Sequence, residues 1–163
     1  MLAVSNTSPI SNLASIGRLN LLRSQFSEIV IPEAVAAELN KHPDSQALLA
    51  IQRAISEQWI RVFAISNQQL LNALLLHLHS GEAEAIALAV ELNASIVLLD
   101  EAEGRSVAAQ LHLSVTGVLG ILLRAKKDNQ IPSVREAVVA LRDKASFFVA
   151  PPLAKKIIAA AGE

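Results

Sequence analysis

Short apolar runs alternate along the chain with longer segments in which apolar residues recur every three or four positions. The short runs predict strands: AVS (3–5), SEIVIP (27–32), WIRVFAI (59–65) at a sheet edge, ASIVLLD (94–100) and LSVTG (113–117). The longer segments predict ten helices. The first four begin at Pro9, near Leu19, at Pro32 and after a cap formed by Asp44. The other six are NQQLLNALLLHLH (67–79), GEAEAIALAVELN (81–93), EAEGRSVAAQL (101–111), VLGILLRAKKDNQ (118–130), SVREAVVALRDK (133–144) and APPLAKKIIAAAGE (150–163).

The alternation of strands and helices predicts a three-layer α/β/α sandwich with a mostly parallel sheet. No internal repeat or linker-like segment divides the chain, so residues 1–163 are expected to form a single domain. The last predicted helix, about 151–161, is expected at the periphery or in a dimer contact. In such folds a site forms at the carboxyl ends of the strands, and polar residues at those ends are therefore the candidates for chemistry.

Composition narrows the function classes. The chain is 52% hydrophobic but only 3% aromatic, with a mean hydropathy of +0.41, so the core is aliphatic and a homodimer is plausible. No apolar stretch is long enough to cross a membrane, no signal-peptide pattern is present, and cysteine is absent, so a cytoplasmic protein is expected. The net charge of −1 excludes a strongly basic protein that binds nucleic acid nonspecifically. If the protein contacts nucleic acid, it does so through a metal ion, through a small basic patch or as a dimer.

Three acidic residues occupy positions where charge needs an explanation. Glu82 shares the predicted apolar face of its helix with Ala85 and Ile86, although an acid in a first helical turn also complements the helix dipole. Glu38 is predicted to face inward in the last turn of its helix, where the dipole disfavours it, unless it is simply solvated. Asp100 ends a buried strand, and a helix cap is the alternative interpretation.

Together these residues place carboxylates from three segments near the polar stretch Ser5-Asn6-Thr7-Ser8, which follows the first strand. Hard cations such as Mg²⁺ or Mn²⁺ prefer oxygen ligands of this kind, and a divalent ion would relieve the repulsion among the acids. Other sites have little support. His77 and His79 do not share a helical face, no serine has a His–acid partner pattern, and no phosphate-binding glycine motif occurs.

The ordered set SNTSP, IPEAVAAEL, GEAEAIALA, VLLDE and VTGVLGILL, spread from about residue 2 to 141, resembles the PIN-domain family. The likeness is to a small prokaryotic branch close to the VapC-type toxins. It implies a parallel sheet between helices, with acids at the strand ends that bind Mg²⁺ or Mn²⁺. When the family's ligand positions are transferred to this sequence, the resemblance implies the ligands Asn6, Glu38, Glu82 and Asp100, with Glu101 as the alternative to Asp100. Thr7 or Ser8 matches a small hydroxyl residue after the first acid.

The resemblance implies a metal-dependent ribonuclease that hydrolyses RNA phosphodiester bonds, and an antitoxin protein partner if the chain is a toxin. Arg105, Arg124, Lys126 and Lys127 are candidate phosphate contacts, with solvated helix charges as the alternative. Asn6 stands where the family has an acid, which motivates a second hypothesis: a PIN-fold binding or assembly module that no longer cleaves. A receiver-like or nucleotide-binding α/β domain is the third, and it would need an acid pair after the first strand that the sequence lacks.

Overall fold

A computed structural model describes residues 1–163 and contains a five-stranded parallel sheet. The strands are β1 (Leu2–Ser5), β2 (Glu28–Pro32), β3 (Ile60–Phe63), β4 (Ile96–Leu98) and β5 (Val115–Thr116), in the spatial order β3-β2-β1-β4-β5. Ten helices connect and cover them: α1 (Thr7–Ser15), α2 (Asn20–Gln25), α3 (Glu33–Leu39), α4 (Ser45–Ser56), α5 (Gln68–Leu74), α6 (Ser80–Glu91), α7 (Ala102–Gln110), α8 (Val118–Lys127), α9 (Val134–Ala145) and α10 (Pro151–Ala160).

Alternate residues of the strands face two separate apolar cores. Ala3, Ile29 and Leu98 pack on the side covered by α1 to α4, α8 and α9, whereas Val4 and Val97 pack on the side of α5, α6 and α7. Both faces of the sheet are therefore buried, which is why the strands are nearly continuous apolar runs. The predicted three-layer α/β/α fold is confirmed.

Strand order creates the crevice in which the site forms. The chain adds β2 and then β3 on one side of β1, and α5 and α6 then carry it across to β4 on the other side. The connections that leave the carboxyl ends of β1 and β4 therefore diverge, and ligands bind at such a switch point in open parallel sheets. Asn6 directly follows β1, and Asp100 and Glu101 follow β4.

Several element boundaries differ from those expected from the sequence. Helix α1 begins at Thr7 rather than at Pro9, because a proline fits anywhere in a first helical turn, where no backbone donor is needed. The segment expected to be helical over 67–79 ends at Leu74 and continues as a turn. The Asp44 cap is confirmed, since its Oδ1 accepts hydrogen bonds from the backbone N–H groups of Gln46 and Ala47.

The C-terminal helix α10 lies on α8 and α9, and none of its residues is fully buried. None of the helices combines the length and the apolar character that crossing a bilayer requires.

Candidate functional site

A polar pocket of about 650 Å³ opens between the carboxyl ends of β1 and β4, the start of α1, and helices α3 and α6. No residue that lines it is apolar, and none is lysine or arginine. We call it the acidic pocket because it contains the carboxylates of Glu38, Glu82 and Glu101. Its other lining residues are neutral amides, hydroxyls, one imidazole and one glycine: Asn6, Thr7, Ser8, Ser11, Asn12, His79, Ser80 and Gly81.

Asn6 is held at the inner wall of the acidic pocket. It is 5% exposed, and its backbone N–H donates a hydrogen bond of 3.0 Å to the carbonyl of Leu98, so that it continues the pairing of β1 with β4. Its side-chain Nδ2 donates to Glu101 Oε2 at 3.3 Å. The amide therefore supplies a donor to a neighbouring carboxylate, which an aspartate in the same position could not do.

Glu38 enters the acidic pocket from the last turn of α3. Its carboxylate accepts a hydrogen bond of 2.8 Å from Thr7 Oγ1, while the residue as a whole is exposed. The prediction that Glu38 faces inward is therefore wrong with respect to the apolar core, since the exposed side chain lines the acidic pocket. Thr7, one of the predicted hydroxyl residues, is the group that orients it.

Glu82 lies in the first turn of α6 and is 6% exposed. Burial is the main cause that raises the pKa of Glu82; the negative charges of Glu101, Glu103 and Glu38 raise it further, against the opposing effect of His79. Its inward orientation agrees with the sequence-based expectation. The expected one-sided apolar stripe is wrong, however, because α6 is buried on nearly all sides between α3, α5, α7 and the sheet.

Asp100 lies beside the acidic pocket rather than in its lining. Its Oδ2 accepts from Ser8 Oγ at 3.0 Å, and its Oδ1 accepts from the backbone N–H of Val118 at 2.8 Å. Ser8 in turn accepts from Asn12 Nδ2 at 3.0 Å. Burial raises the pKa of Asp100, and these two hydrogen bonds partly oppose it. The cap interpretation of Asp100 is wrong, because the N-cap residue of α7 is Glu101; the Asp100 carboxylate instead accepts from the first backbone N–H of the distant helix α8.

The site therefore gathers most of the residues singled out in the sequence and separates two of them. Asn6, Thr7, Ser8, Glu38, Glu82 and Glu101 line the acidic pocket, whereas Asp100 and Arg105 line a neighbouring groove. Sequence reasoning missed His79, Ser11 and Asn12, which carry no distinctive motif. Asn12 could have been found from its spacing, since it follows Ser8 by one helical turn and so lies on the same face.

Two glycines make room for the carboxylates. A Cβ on Gly81 would lie 2.8 Å from Glu38 Oε1 and 2.9 Å from Asn6 Oδ1, and one on Gly104 would lie 3.0 Å from Glu82 Oε2. The side-chain oxygens of Glu38 and Asn6 thus converge on the space that the missing Cβ of Gly81 leaves. This signal was present in the sequence as the pairs Gly81-Glu82 and Glu103-Gly104, but its meaning depends on tertiary contacts.

The donor set was tested for its fit to a divalent metal ion. Carboxylate and amide oxygens without a nearby lysine or arginine match the ligand preference of Mg²⁺ or Mn²⁺. The negative charges of Glu101, Glu103 and Glu38 near Glu82 also favour a bound cation. As the side chains lie, no group of three acidic or histidine residues is arranged to hold an ion. The pocket therefore fits a hard cation in its chemistry, with side-chain adjustment needed for ligation.

We expect Gly81→Ala to weaken Mn²⁺ binding at least tenfold, an effect of about the size seen when groups that orient ligands are lost. The new methyl group would displace the Glu38 and Asn6 oxygens. The free energy of unfolding should change by no more than about 1 kcal/mol, because the preference for alanine over glycine in a helix offsets part of the cost of displacing the buried Asn6 amide. Calorimetric Mn²⁺ titration and thermal unfolding check both statements. Ser80→Ala is the matched control, and equal Mn²⁺ affinity of wild type and Gly81→Ala would contradict the expectation.

Comparison with known proteins gives a family assignment that covers nearly all of this architecture. A family model described as "PIN domain" matches residues 2–163. No curated protein matches the chain. The matched span contains the whole sheet, every helix and all residues of the acidic pocket. On this match, the chain belongs to the PIN-domain family.

Proposed function

We propose that the protein is a divalent-metal-dependent ribonuclease that hydrolyses RNA phosphodiester bonds at the acidic pocket. The observation that carries the proposal is a pocket with three carboxylates and no lysine or arginine, at the switch point of a sheet whose family implies a nuclease-type fold. Such a pocket repels the phosphate backbone unless a cation intervenes, so metal dependence follows from its charge.

The residues have distinct roles in this proposal. The chemistry that a Mg²⁺ or Mn²⁺ ion would supply here, when bound, is activation of water and neutralisation of charge on the phosphate oxygens. Glu38, Glu82 and Glu101 would hold the ion, and the uncharged amide of Asn6 would be a weaker ligand. Thr7 fixes the orientation of Glu38, and Asn6 Nδ2 fixes that of Glu101. The low exposure of Glu82 restricts the water that could compete for its carboxylate.

We also propose that the chain acts as the toxin of a toxin–antitoxin pair, is a homodimer and forms a single domain. The VapC-like pattern of the sequence motifs supports the first proposal, with an antitoxin protein as partner. Exposed apolar side chains such as Leu76 and Phe148, which are 78% and 76% exposed, support the second. A family match over residues 2–163 supports the third.

The test of the proposed activity is cleavage of a labelled single-stranded RNA by purified protein with Mg²⁺ or Mn²⁺. We expect cleavage that EDTA abolishes and that added Mn²⁺ restores. Cleavage that persists in EDTA, or no cleavage with either ion, would refute the proposal.

The assignment of the fourth ligand can be tested with two neighbouring variants. Glu101→Gln should lower Mn²⁺ affinity and cleavage at least about tenfold and leave stability near that of wild type. Asp100→Ala should lower the free energy of unfolding by about 1–3 kcal/mol, because it leaves the Val118 N–H and the Ser8 hydroxyl without their acceptor. Its Mn²⁺ affinity should stay close to that of wild type. The reverse result would return the ligand to Asp100.

A second candidate function rests on Asn6. The amide removes one negative charge from the acidic pocket, and Asn6 Nδ2 is already bonded to Glu101. A PIN-fold module that binds nucleic acid or assembles with a partner without cleaving is therefore the alternative. The two functions are separated by substitution of Asn6, which is argued in the Discussion.

A further inference from the structure

Charge is distributed unevenly between the two parts of the chain. Residues 118–163, which contain α8, α9 and α10, carry eight of the 14 lysines and arginines and four of the 15 acidic residues. This part has a formal charge of +4, and residues 1–117 have −5. The three helices pack against one another, so the positive charge is concentrated in one layer at one side of the molecule. The overall charge of −1 conceals this layer.

A groove of about 400 Å³ connects the positive layer to the site. It lies between the start of α8, α10 and Arg105 of α7, and Leu119, Phe147, Leu153 and Ile157 form its apolar side. Asp100 belongs to its lining and also accepts the hydrogen bond from Ser8, which lines the acidic pocket. The hydrogen-bonded pair Ser8–Asp100 therefore forms the boundary between the acidic pocket and the groove.

Cations flank the groove at both sides. Arg105 is exposed and donates through Nη1 to the carbonyl of Leu99 at 2.9 Å, which leaves its other donors free. Lys156 lies three residues after Leu153 and directly before Ile157, at the edge of the side of α10 that lines the groove, whereas Lys155 lies on the opposite side of the helix. Lys156 is exposed and forms no ion pair, unlike Arg124 and Arg142, which pair with Asp128 and Asp143.

We propose that this groove binds the RNA strand next to the scissile phosphodiester, with a base against Phe147 and phosphates against Arg105 and Lys156. The inference rests on the proposed function, since it names how the substrate of that site is held. An aromatic ring on an apolar side and cations at the rim are what a single strand needs, because bases stack on aromatic rings and phosphates pair with cations. An acidic peptide would use the cations alone.

A second cationic groove provides an internal comparison. It has a volume of about 380 Å³ and contains Arg23, Arg53 and Trp59, but it lies in the part of the chain with net negative charge. The Arg23 guanidinium there is already placed over the Trp59 ring, 5.8 Å from its centre, and 3.8 Å from Glu57 Oε2. Removing Arg23 and Arg53 takes away the same charge as removing Arg105 and Lys156.

The experiment measures binding of a fluorescein-labelled single-stranded RNA by anisotropy in EDTA, at several salt concentrations. Arg105→Gln/Lys156→Gln should weaken binding and reduce the slope of log K against log salt by about 1.4, because two phosphate contacts are lost. Phe147→Leu keeps an apolar side chain and should weaken binding roughly fivefold or more. Arg23→Gln/Arg53→Gln should leave both quantities unchanged. Circular dichroism confirms that each variant is folded.

Three outcomes would overturn the inference: equal weakening by the control pair, no effect of the Arg105/Lys156 pair or of Phe147→Leu, and tighter binding of a labelled poly-glutamate peptide than of RNA. The last would assign the layer to an acidic protein partner. Failure of the proposed activity is distinguishable. If the groove variants weaken RNA binding as expected but the protein never cleaves RNA, the groove proposal is supported and the ribonuclease proposal is refuted. If the protein cleaves RNA but the groove variants leave RNA binding unchanged, the ribonuclease proposal is supported and the groove proposal is refuted.

Discussion

Glu82→Gln is expected to reduce metal-dependent RNA cleavage at least about a hundredfold without destabilising the protein. Glu82 is the most buried carboxylate of the acidic pocket, at 6% exposure, and its ionised form is disfavoured by burial and by the charges of Glu101, Glu103 and Glu38. A glutamine has nearly the same shape but no negative charge. The substitution therefore weakens binding of the metal ion, and it does not lower the stability of the metal-free protein. The measurements are RNA cleavage with Mg²⁺ and thermal unfolding in EDTA.

Glu84→Gln is the matched control, two residues further along α6. Glu84 Oε2 accepts a hydrogen bond of 2.9 Å from the backbone N–H of Ala34, at the start of α3, and Glu84 does not line the acidic pocket. Its neutralisation should lower stability by about 0.5–1 kcal/mol through the lost interaction with the helix N-terminus, and leave cleavage unchanged. Cleavage by Glu82→Gln at the wild-type rate, or an equal loss in both variants, would contradict the assignment.

The effect of Glu82→Gln on stability should depend on pH. The pKa of Glu82 is raised above its ordinary value of 4.5, so between the two values the folded protein binds more protons than the unfolded chain. The free energy of unfolding of wild type therefore falls as the pH rises through this window. The loss of stability caused by ionised Glu82 reaches its full size above the raised pKa. The stability advantage of the glutamine variant should appear only there. Urea unfolding in EDTA at several pH values checks the sign.

The fold was predictable because local patterns and packing agree. The continuous apolar runs at Ile29 and Val97 can be buried only in a sheet covered on both faces, which the structure has. The short apolar-rich segment at 75–78 shows the limit: its leucines fit a helical pattern, but the chain turns there to start α6. Propensity alone does not locate such an end when tertiary packing sets it.

The site was predictable in position and less so in detail. Asn6 and Glu82 could be placed from strand ends and helical faces, since both depend on local geometry. The choice between Asp100 and Glu101 could not, because successive residues after a strand point in different directions and the loop decides which enters the acidic pocket. Likewise, no sequence pattern indicates that Asp100 accepts from Val118, which lies 18 residues further along the chain.

Asn6→Asp is expected to produce the largest change in stability among the pocket variants. The buried Nδ2 donor to Glu101 would be replaced by a carboxylate oxygen facing another carboxylate. Without metal, the repulsion and the lost hydrogen bond should lower the free energy of unfolding by about 1–3 kcal/mol. Bound Mn²⁺ stabilises the folded state by mass action, so the rise in melting temperature with Mn²⁺ should be larger in the variant than in wild type.

Asn12→Asp is the matched control for this substitution. Asn12 is 8% exposed and lines the same pocket, but its Nδ2 donates to Ser8 rather than to a carboxylate. The same change of charge there should destabilise the apoprotein without an equal gain from Mn²⁺. An equal Mn²⁺ effect at both positions would mean that net charge alone, and not the contact of Asn6 with Glu101, governs metal binding.

Cleavage by the Asn6→Asp variant decides between the two proposed functions. If wild type does not cleave RNA and the variant does, the amide at this position has converted a nuclease pocket into a binding module. If wild type cleaves as fast as the variant, the three carboxylates of the acidic pocket suffice, and the role of Asn6 is to hold Glu101 through its amide hydrogen. The same substitution thus reports on chemistry through the rate and on the ligand set through the melting temperature, and the two readouts are independent.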